Sequence, residues 1–312
     1  MRTAKGKHHM PLLVIIFLWA SFAHVVAAKA ACGPDTAPSQ AAAWGYTCEV
    51  FFDNFTTSGT SNIDINDTLN PRFKWFVHNK WPGLFAGFPD WANSDTTPVG
   101  DITVDPGGHG IKITPSLNNT TTHFQMMSCA TNNGMSYQWI GTALTGGFYF
   151  EVGFYSISPP GQQAGQLHWA SAWMLPTKED MANPAYIRHS EIDLFEANSN
   201  TRFVHSLDPV TGDTPRRYGG FISQTTPHSY GVLIVPAAAN GGTGFLRGFV
   251  DGAVDPFNTD ATWTPSDKLF SFIETDHHCF LMTSGYRQSM ILQYVRVFAQ
   301  PPPGSGRRDR GP

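Results

Sequence analysis

Three carboxylates lie close together in an apolar stretch of this 312-residue chain. They are Glu191, Asp193 and Glu196 in the sequence EIDLFE, which holds two of the six glutamates in the chain. The Ile, Leu and Phe residues between them favour a strand in a packed sheet. Three like charges in an apolar strand are unfavourable unless the protein uses them, so we interpret the three residues as candidate catalytic groups.

The spacing of the carboxylates predicts a specific irregularity in this strand. Side chains alternate between the two faces of a sheet, so Glu191 and Asp193 share a face. Glu196 follows Glu191 by five residues and would face the other side of a regular strand. One extra residue at Leu194-Phe195, a β-bulge, would return Glu196 to the face of the other two carboxylates.

Carboxylates arranged in this way can hydrolyse a glycosidic bond. One carboxylate acts as the nucleophile while a second, protonated carboxyl group acts as the acid. Asp193, between the two glutamates, would hydrogen-bond one of them and raise the proton affinity of the other. The alternative interpretation is a solvated polar strand or a structural ion-pair cluster.

The EIDLFE sequence resembles the E-[ILV]-D-x-x-E motif of glycoside hydrolase family 16, in the laminarinase-like branch. The resemblance extends in order over residues 49–299 and implies a jelly-roll sandwich whose concave sheet forms a glycan cleft. It implies a retaining mechanism with Glu191 as nucleophile, Glu196 as acid/base and Asp193 as the assisting residue. The other matching segments are GGFYFEVGF, HWASAWMLP, HSYGV, FVDG and MILQYVRVFAQ.

Three further residues are candidates for contact with the substrate. Trp173 matches the cleft tryptophan of the family, and strand alternation places Trp169 on the same face, so both rings could stack on sugars. Packing in an ordinary sandwich core is the alternative for both tryptophans. His205 follows the motif strand and could reach the cleft, although a surface or structural histidine is the alternative.

The sequence predicts no metal site and no cofactor. Gln293 replaces an Asp that often joins a structural calcium site in the family. Adjacent His277 and His278 would point to opposite faces of a strand and make poor joint ligands. The sequence also departs from the family where GVLIVP lacks the expected Trp and where Thr283-Ser284-Gly285 replaces Gly-Gly.

The remaining pattern predicts an all-β protein. Helix signals are scarce, and short β-branched and aromatic runs alternate with turn residues, which predicts an antiparallel β-sandwich of two sheets. We expect a jelly roll of the concanavalin A-like lectin/glucanase type. The predicted strands are Glu49–Phe55, Phe73–His78, Gly110–Pro115, Phe148–Ser156, Trp169–Leu175, Ser190–Glu196, Tyr230–Val235, Phe245–Val250, Cys279–Thr283 and Met290–Phe298.

The two ends of the chain and its charge predict an exported protein. Residues 1–30 read as a signal peptide, because a basic start is followed by an apolar core shorter than the roughly 20 residues that span a bilayer. Residues 31–48 are expected to form an N-terminal strap, 49–299 the sandwich and 300–312 a disordered tail. The net charge is −4 and the sequence has no basic stripe, so we do not expect nucleic acid as a binding partner. We expect a secreted monomer without a stable membrane anchor, with a polysaccharide as its partner.

Four cysteines in an exported chain suggest two disulfides, with three possible connectivities. The local pairing is Cys32–Cys48, which would pin the strap and leave Cys129–Cys279 to join distant strands. Buried free thiols are the alternative.

The sequence therefore predicts a secreted, endo-acting glycoside hydrolase that cleaves a β-glucan-like polysaccharide. A transglycosylase would use the same carboxylates, with a sugar in place of water resolving the intermediate. A lectin-like module without catalysis is the alternative from another class, although such a module does not need three carboxylates.

Overall fold

The computed structural model describes residues 32–66, 68–77, 102–114, 124–131, 139–157, 169–177, 191–196, 202–208, 212–218, 226–254, 260–267, 270–285 and 289–301. The predicted signal peptide and the tail beyond residue 301 lie outside these ranges, so both stay predictions. Among the described residues, no helix has the length and apolar character needed to cross a bilayer.

Nineteen strands dominate the described part of the chain, with three one-turn helices and a 3-10 turn. The helices are α1 (Ser39–Ala42), α2 (Phe55–Ser58) and α3 (Phe272–Thr275), and the 3-10 turn covers Ala237–Ala239. The strands are β1 (Cys48–Asn54), β2 (Ile63–Asp64), β3 (Trp75–Phe76), β4 (Ile102–Val104), β5 (Ile111–Ile113), β6 (Phe124–Met127), β7 (Cys129–Thr131), β8 (Trp139–Gly141), β9 (Phe148–Ile157), β10 (Trp169–Thr177), β11 (Glu191–Glu196), β12 (Arg202–Asp208), β13 (Gly212–Tyr218), β14 (His228–Val235), β15 (Gly244–Val250), β16 (Ala253–Val254), β17 (Ala261–Trp263), β18 (His277–Gly285) and β19 (Ser289–Ala299).

Two large sheets form the predicted sandwich. The nine-stranded sheet has the order β16-β15-β14-β9-β19-β5-β4, with β1 also paired to β19 and β17 to β15. The eight-stranded sheet has the order β13-β12-β11-β10-β18-β6-β3-β2. Apart from the short β2–β3 pair, the described ladders of these sheets are antiparallel. The all-β, jelly-roll sandwich class is therefore confirmed.

The hydrophobic core lies between these two sheets and follows the alternation of each strand. In β9, Phe150 and Phe154 are buried in this core. The ring of Phe150 stacks on Phe280 of the other sheet, with centroids 4.6 Å apart. Phe154 contacts Phe195 of β11 edge-on at 4.7 Å. Because these contacts join the two sheets, the core fixes which face of each strand points outward.

The residues before β1 cover the outer face of the nine-stranded sheet. Tyr46 is buried there and donates its hydroxyl to the carbonyl oxygen of Ile234 over 3.0 Å. Trp44 packs edge-on against Phe245. These contacts belong to a second apolar cluster, separate from the core between the sheets. This face is therefore occupied by the N-terminal segment of the chain itself.

A charged group is also buried on this outer face. The Glu151 carboxylate is 2% exposed and accepts hydrogen bonds from the hydroxyl groups of Tyr149 and Tyr294 at 2.6 and 2.8 Å. Arg296 donates to the same carboxylate from Nε at 2.9 Å and from a terminal nitrogen at 2.6 Å. With these partners the charge of Glu151 is balanced, so the residue is part of the scaffold.

The sequence predicted the disulfides and most of the long strands. Cys32–Cys48 and Cys129–Cys279 are both present, which confirms the predicted pairing. Each of the ten predicted segments contains a strand. Among the strands that were not predicted, β12 and β13 have the polar sequences RFVHSLD and GDTPRRY. β13 lies at the edge of its sheet, where strands tolerate Pro and charged residues because one side needs no partner.

Candidate active site

The predicted bulge in β11 is confirmed by its pairing with β10. Asp193 pairs with Trp173 and Glu196 pairs with Ser171, so an advance of three residues along β11 matches two along β10. Leu194 is the additional residue. Because Ser171 and Trp173 lie two apart and share a face, the register places positions 193 and 196 on that same face.

Apolar packing explains why the bulge forms where it does. Leu194 and Phe195 are 1% and 0% exposed, and both belong to the core between the sheets. Ile192 also packs into this core. Two consecutive residues on the core side can be accommodated only if the strand breaks its alternation, which is what the bulge provides.

The three carboxylate positions consequently lie on the side of the eight-stranded sheet that faces away from the core. We refer to this side of β10, β11 and β18 as the carboxylate face. Glu191 is half-buried, whereas Asp193 is 3% exposed. A nearly buried carboxylate is better placed to contact its neighbours than to attack a substrate, which agrees with the assisting role predicted for Asp193.

Trp173 lies on the carboxylate face, outside the core between the sheets. Its indole Nε1 donates a hydrogen bond to Thr283 Oγ1 over 2.8 Å. The ring packs in a small cluster that includes Leu281 and the Cys129–Cys279 disulfide, and its exposed fraction is 4%. Packing and the hydrogen bond to Thr283 therefore hold the orientation of the ring, while stacking on a sugar stays a prediction.

The backbone register also brings the two remaining candidates to this face. His205 of β12 pairs directly with Glu191, so both positions share one face of the sheet. Trp169 lies four residues before Trp173 in β10 and pairs with Gly285. Strand alternation therefore places position 169 on the carboxylate face, as predicted. The contribution of His205 and Trp169 to binding stays a prediction.

Two hydroxyl residues on this face were not among the predicted site residues. Thr283 begins the Thr283-Ser284-Gly285 segment that replaces the Gly-Gly of the family, and the sequence does not predict its hydrogen bond to Trp173. Ser171 is 2% exposed and lies opposite Glu196. The available signal was a hydroxyl residue next to an apolar run of each strand, at a position that faces away from the core.

The described residues do not provide a metal site. No group of three or more His, Cys, Asp or Glu side chains comes together among them in a way that could hold an ion. Gln293 lies at a bulge of β19, where the register shifts between Leu292 and Tyr294. Its neutral amide lacks the charge that a carboxylate would bring to calcium, so the residue at this position does not favour the calcium site of the family.

Comparison with known proteins supports the fold. No protein-family model and no curated protein matches this sequence. Among solved structures, the endo-1,3-β-glucanase from Streptomyces sioyaensis matches with a TM-score of 0.52 and 16% identity, over 86% of this chain and 100% of the glucanase. The laminarinase from Rhodothermus marinus has a TM-score of 0.49 at 16% identity, over 80% of this chain and 96% of its own. β-Agarase A from Zobellia galactanivorans has a TM-score of 0.47 at 12% identity, over 80% and 92%.

The Streptomyces glucanase has a TM-score above 0.5 and is matched over its whole length. At this low identity the similarity concerns the fold alone. The carboxylates are identified as candidate catalytic groups by the sequence and the register of β11. The resemblance of this chain to glycoside hydrolase family 16 is thus supported at the level of the fold.

Proposed function

We propose that this chain is an exported, endo-acting glycoside hydrolase that cleaves a β-glucan-like polysaccharide with retention of configuration. The observation that carries the proposal is the bulge in β11, which brings the positions of Glu191, Asp193 and Glu196 to one face. The fold shared with an endo-1,3-β-glucanase supports it and favours a glucan among polysaccharides.

The proposed reaction has two steps that use the two glutamates differently. Glu196, initially protonated, gives its proton to the glycosidic oxygen while the Glu191 carboxylate attacks the anomeric carbon and forms a glycosyl-enzyme. Glu196, now ionised, then removes a proton from a water molecule that displaces Glu191 from the sugar. Two successive inversions at the anomeric carbon give net retention. This mechanism requires carboxyl groups about 5–5.5 Å apart.

The neighbouring residues would position the glutamates and the glycan. Asp193, buried between them along β11, would hold one glutamate by a hydrogen bond and set its charge. Trp169 would stack on a sugar ring along the carboxylate face. The nearly buried Trp173 would line the floor of the face beneath the glycan. His205, paired with Glu191, would contact the glycan near the nucleophile.

The test is the activity of Glu191→Gln and Glu196→Gln on a panel of polysaccharides, measured by release of reducing ends. The panel contains β-1,3-glucan, mixed-linkage glucan and an agar-type galactan. We expect each substitution to lower kcat on the preferred polysaccharide by about 10³-fold or more. Glu274→Gln is the matched control, because it makes the same chemical change in α3, outside the carboxylate face.

Each outcome of this experiment selects one function. Wild-type-like activity of either variant at position 191 or 196 would contradict the assigned roles. Binding of a polysaccharide by the wild type without reducing-end release across the panel would indicate a lectin-like protein. Longer products at modest acceptor concentration would indicate a transglycosylase. Proton NMR of the first product settles the stereochemistry, and we expect the β-anomer to appear first.

The proposed export depends on the character of the first 30 residues and on the disulfides. Disulfides persist in oxidising compartments, where the Cys32–Cys48 and Cys129–Cys279 bonds would remain closed. Expression of the whole chain in a secreting host should release a product that begins after Ala30. A product retained in the cell with its first residues intact would contradict this part of the proposal.

A further inference from the structure

Ser171 occupies the centre of the carboxylate face. It lies in β10 between strands β11 and β18, directly opposite Glu196 on one side and Thr283 on the other. Residues opposed in this way across an antiparallel ladder have Cβ atoms roughly 4.5–5.5 Å apart, within reach of a side-chain hydrogen bond. Ser171 is therefore an immediate neighbour of the residue proposed as acid/base.

The hydroxyl of Ser171 is buried without a compensating contact in the described part of the chain. The residue is 2% exposed, and among the described residues its Oγ has no hydrogen-bonding partner. Burial of a hydroxyl without a hydrogen bond is unfavourable. Thr283, the neighbour on the other side, already accepts the indole N–H of Trp173. Of the two neighbours, Glu196 carries the carboxyl group, which accepts a stronger hydrogen bond from a hydroxyl when it is ionised.

We propose that Ser171 is a positioning residue that hydrogen-bonds the carboxyl group of Glu196 and holds it for proton transfer. This inference rests on the proposed function, because it takes Glu196 as the acid/base. A hydroxyl is suited to both steps of the reaction. It can donate to Glu196 when that group is ionised, and its lone pairs can accept from the carboxyl group of Glu196 when that group is protonated.

The expected consequence of Ser171→Ala is a selective loss of acid catalysis. On the polysaccharide preferred in the panel, we expect kcat to fall about 10-fold to 100-fold with KM changed less than about 3-fold, which is part of the usual contribution of a general acid. A 2,4-dinitrophenyl glycoside of the matching oligosaccharide needs no protonation of its leaving group. Its kcat/KM, which reports the first step, should therefore change less than about 2-fold.

The pH dependence provides a second readout that a purely structural role would not move. A hydroxyl that donates to an ionised carboxylate stabilises the charged form. Its removal should move the alkaline limb of kcat/KM on the polysaccharide to higher pH by about half a unit. Ser171→Thr keeps the hydroxyl, so its kcat and the position of its alkaline limb should both be close to those of the wild type. Thr283→Val removes the hydroxyl on the other side of Ser171 and should leave the limb in place, although it weakens the support of Trp173.

The results separate this inference from the function on which it rests. Suppose that Glu196→Gln is inactive on the polysaccharide. If Ser171→Ala then loses the same activity on the polysaccharide and on the dinitrophenyl glycoside, or keeps wild-type rates on both, only the role of Ser171 is overturned. A fully active Glu196→Gln would overturn the proposed function and this inference with it. Thermal melting of each variant confirms that rates are compared between folded proteins. If Ser171→Ala does not fold, Ser171→Cys replaces it, because a thiol is a weaker hydrogen-bond donor of similar shape.

Discussion

Leu194 and Phe195 are consecutive in the chain, yet both are buried in the hydrophobic core between the two sheets. Strand alternation would place one of them on each face. The bulge that resolves this conflict also moves position 196 from the core side to the carboxylate face. Core packing and the arrangement of the candidate catalytic groups are thus consequences of the same irregularity.

Deletion of Leu194 tests this relationship. The shortened sequence E-x-D-x-E needs no bulge, because every second residue then shares a face. We expect the deletion variant to lose stability, since a buried Leu contributes about 2–5 kcal/mol, but to retain measurable hydrolysis. Reducing-end release at low temperature is the measurement.

Deletion of Ile192 is the matched control for this experiment. It shortens β11 by the same length but places Glu191 and Asp193 next to each other, on opposite faces of the strand. We expect no hydrolysis from this variant. Equal activity of the two deletion variants would show that the faces assigned to the carboxylates do not matter.

The hydrogen bond between Trp173 and Thr283 gives a prediction about stability. In Thr283→Val the buried indole N–H loses its acceptor, which should lower the free energy of unfolding by about 1–3 kcal/mol. Thr283→Ser retains the hydroxyl and should lose about 1 kcal/mol or less. Urea unfolding of the two variants is the measurement. Equal destabilisation by Val and Ser would mean that the methyl group of Thr283, and not its hydroxyl, supports the tryptophan.

Glu49 gives a prediction about pH. Burial, and after it the negative charge of Asp35, raise the pKa of the Glu49 carboxyl group, while the backbone N–H of Asp35 and the charges of Arg296 and Lys74 partly oppose this. The folded state therefore holds the proton more tightly than the unfolded state. The stabilisation of the folded state by protonated Glu49 is fully present below the pKa of the unfolded state, about 4.3. It is lost as the pH rises through the raised pKa of the folded state.

Glu49→Gln should accordingly raise the melting temperature at pH 7 and change it less near pH 4. The neutral amide avoids the cost of ionising a group at this buried position. Melting temperatures measured from pH 4 to pH 8 test this expectation. A variant that melts below the wild type at pH 7 would show that the Glu49 carboxylate is stabilising when ionised.

The two disulfides should contribute unequally to stability. Cys129–Cys279 closes a separation of 150 residues and Cys32–Cys48 one of 16. In the chain-entropy description, removal should cost about 4–5 kcal/mol for the longer loop and about 3 kcal/mol for the shorter one. Denaturant unfolding of the two Cys→Ala double variants tests the order. A larger loss from the Cys32/Cys48 variant would show that attachment of the N-terminal segment outweighs loop closure.

The strand, its bulge and the face of the carboxylates could be predicted from the sequence because they depend on local properties. Apolar residues at positions 192, 194 and 195 must pack inward, and the polar residues between them must then face outward. The Cys32–Cys48 disulfide was also predictable in this sense, because the two residues are close in the chain, and that pairing left Cys129 and Cys279 as the second pair. Ten segments that contain strands followed from their own composition, among them the long strands β9, β10 and β19. Short or polar strands such as β12 did not, because their pairing partners stabilise them more than their own sequences do.

The neighbours of the carboxylates were decided only by the tertiary structure. His205 lies opposite Glu191, Ser171 opposite Glu196, and Thr283 reaches Trp173 across a separation of 110 residues. No local pattern specifies these pairs, because strand order depends on the packing of the whole core. The sequence by itself determined which groups could do chemistry and which way they face. The side-by-side order of β12, β11, β10 and β18 determined which side chains stand next to them, since a sheet joins residues that are distant in the chain.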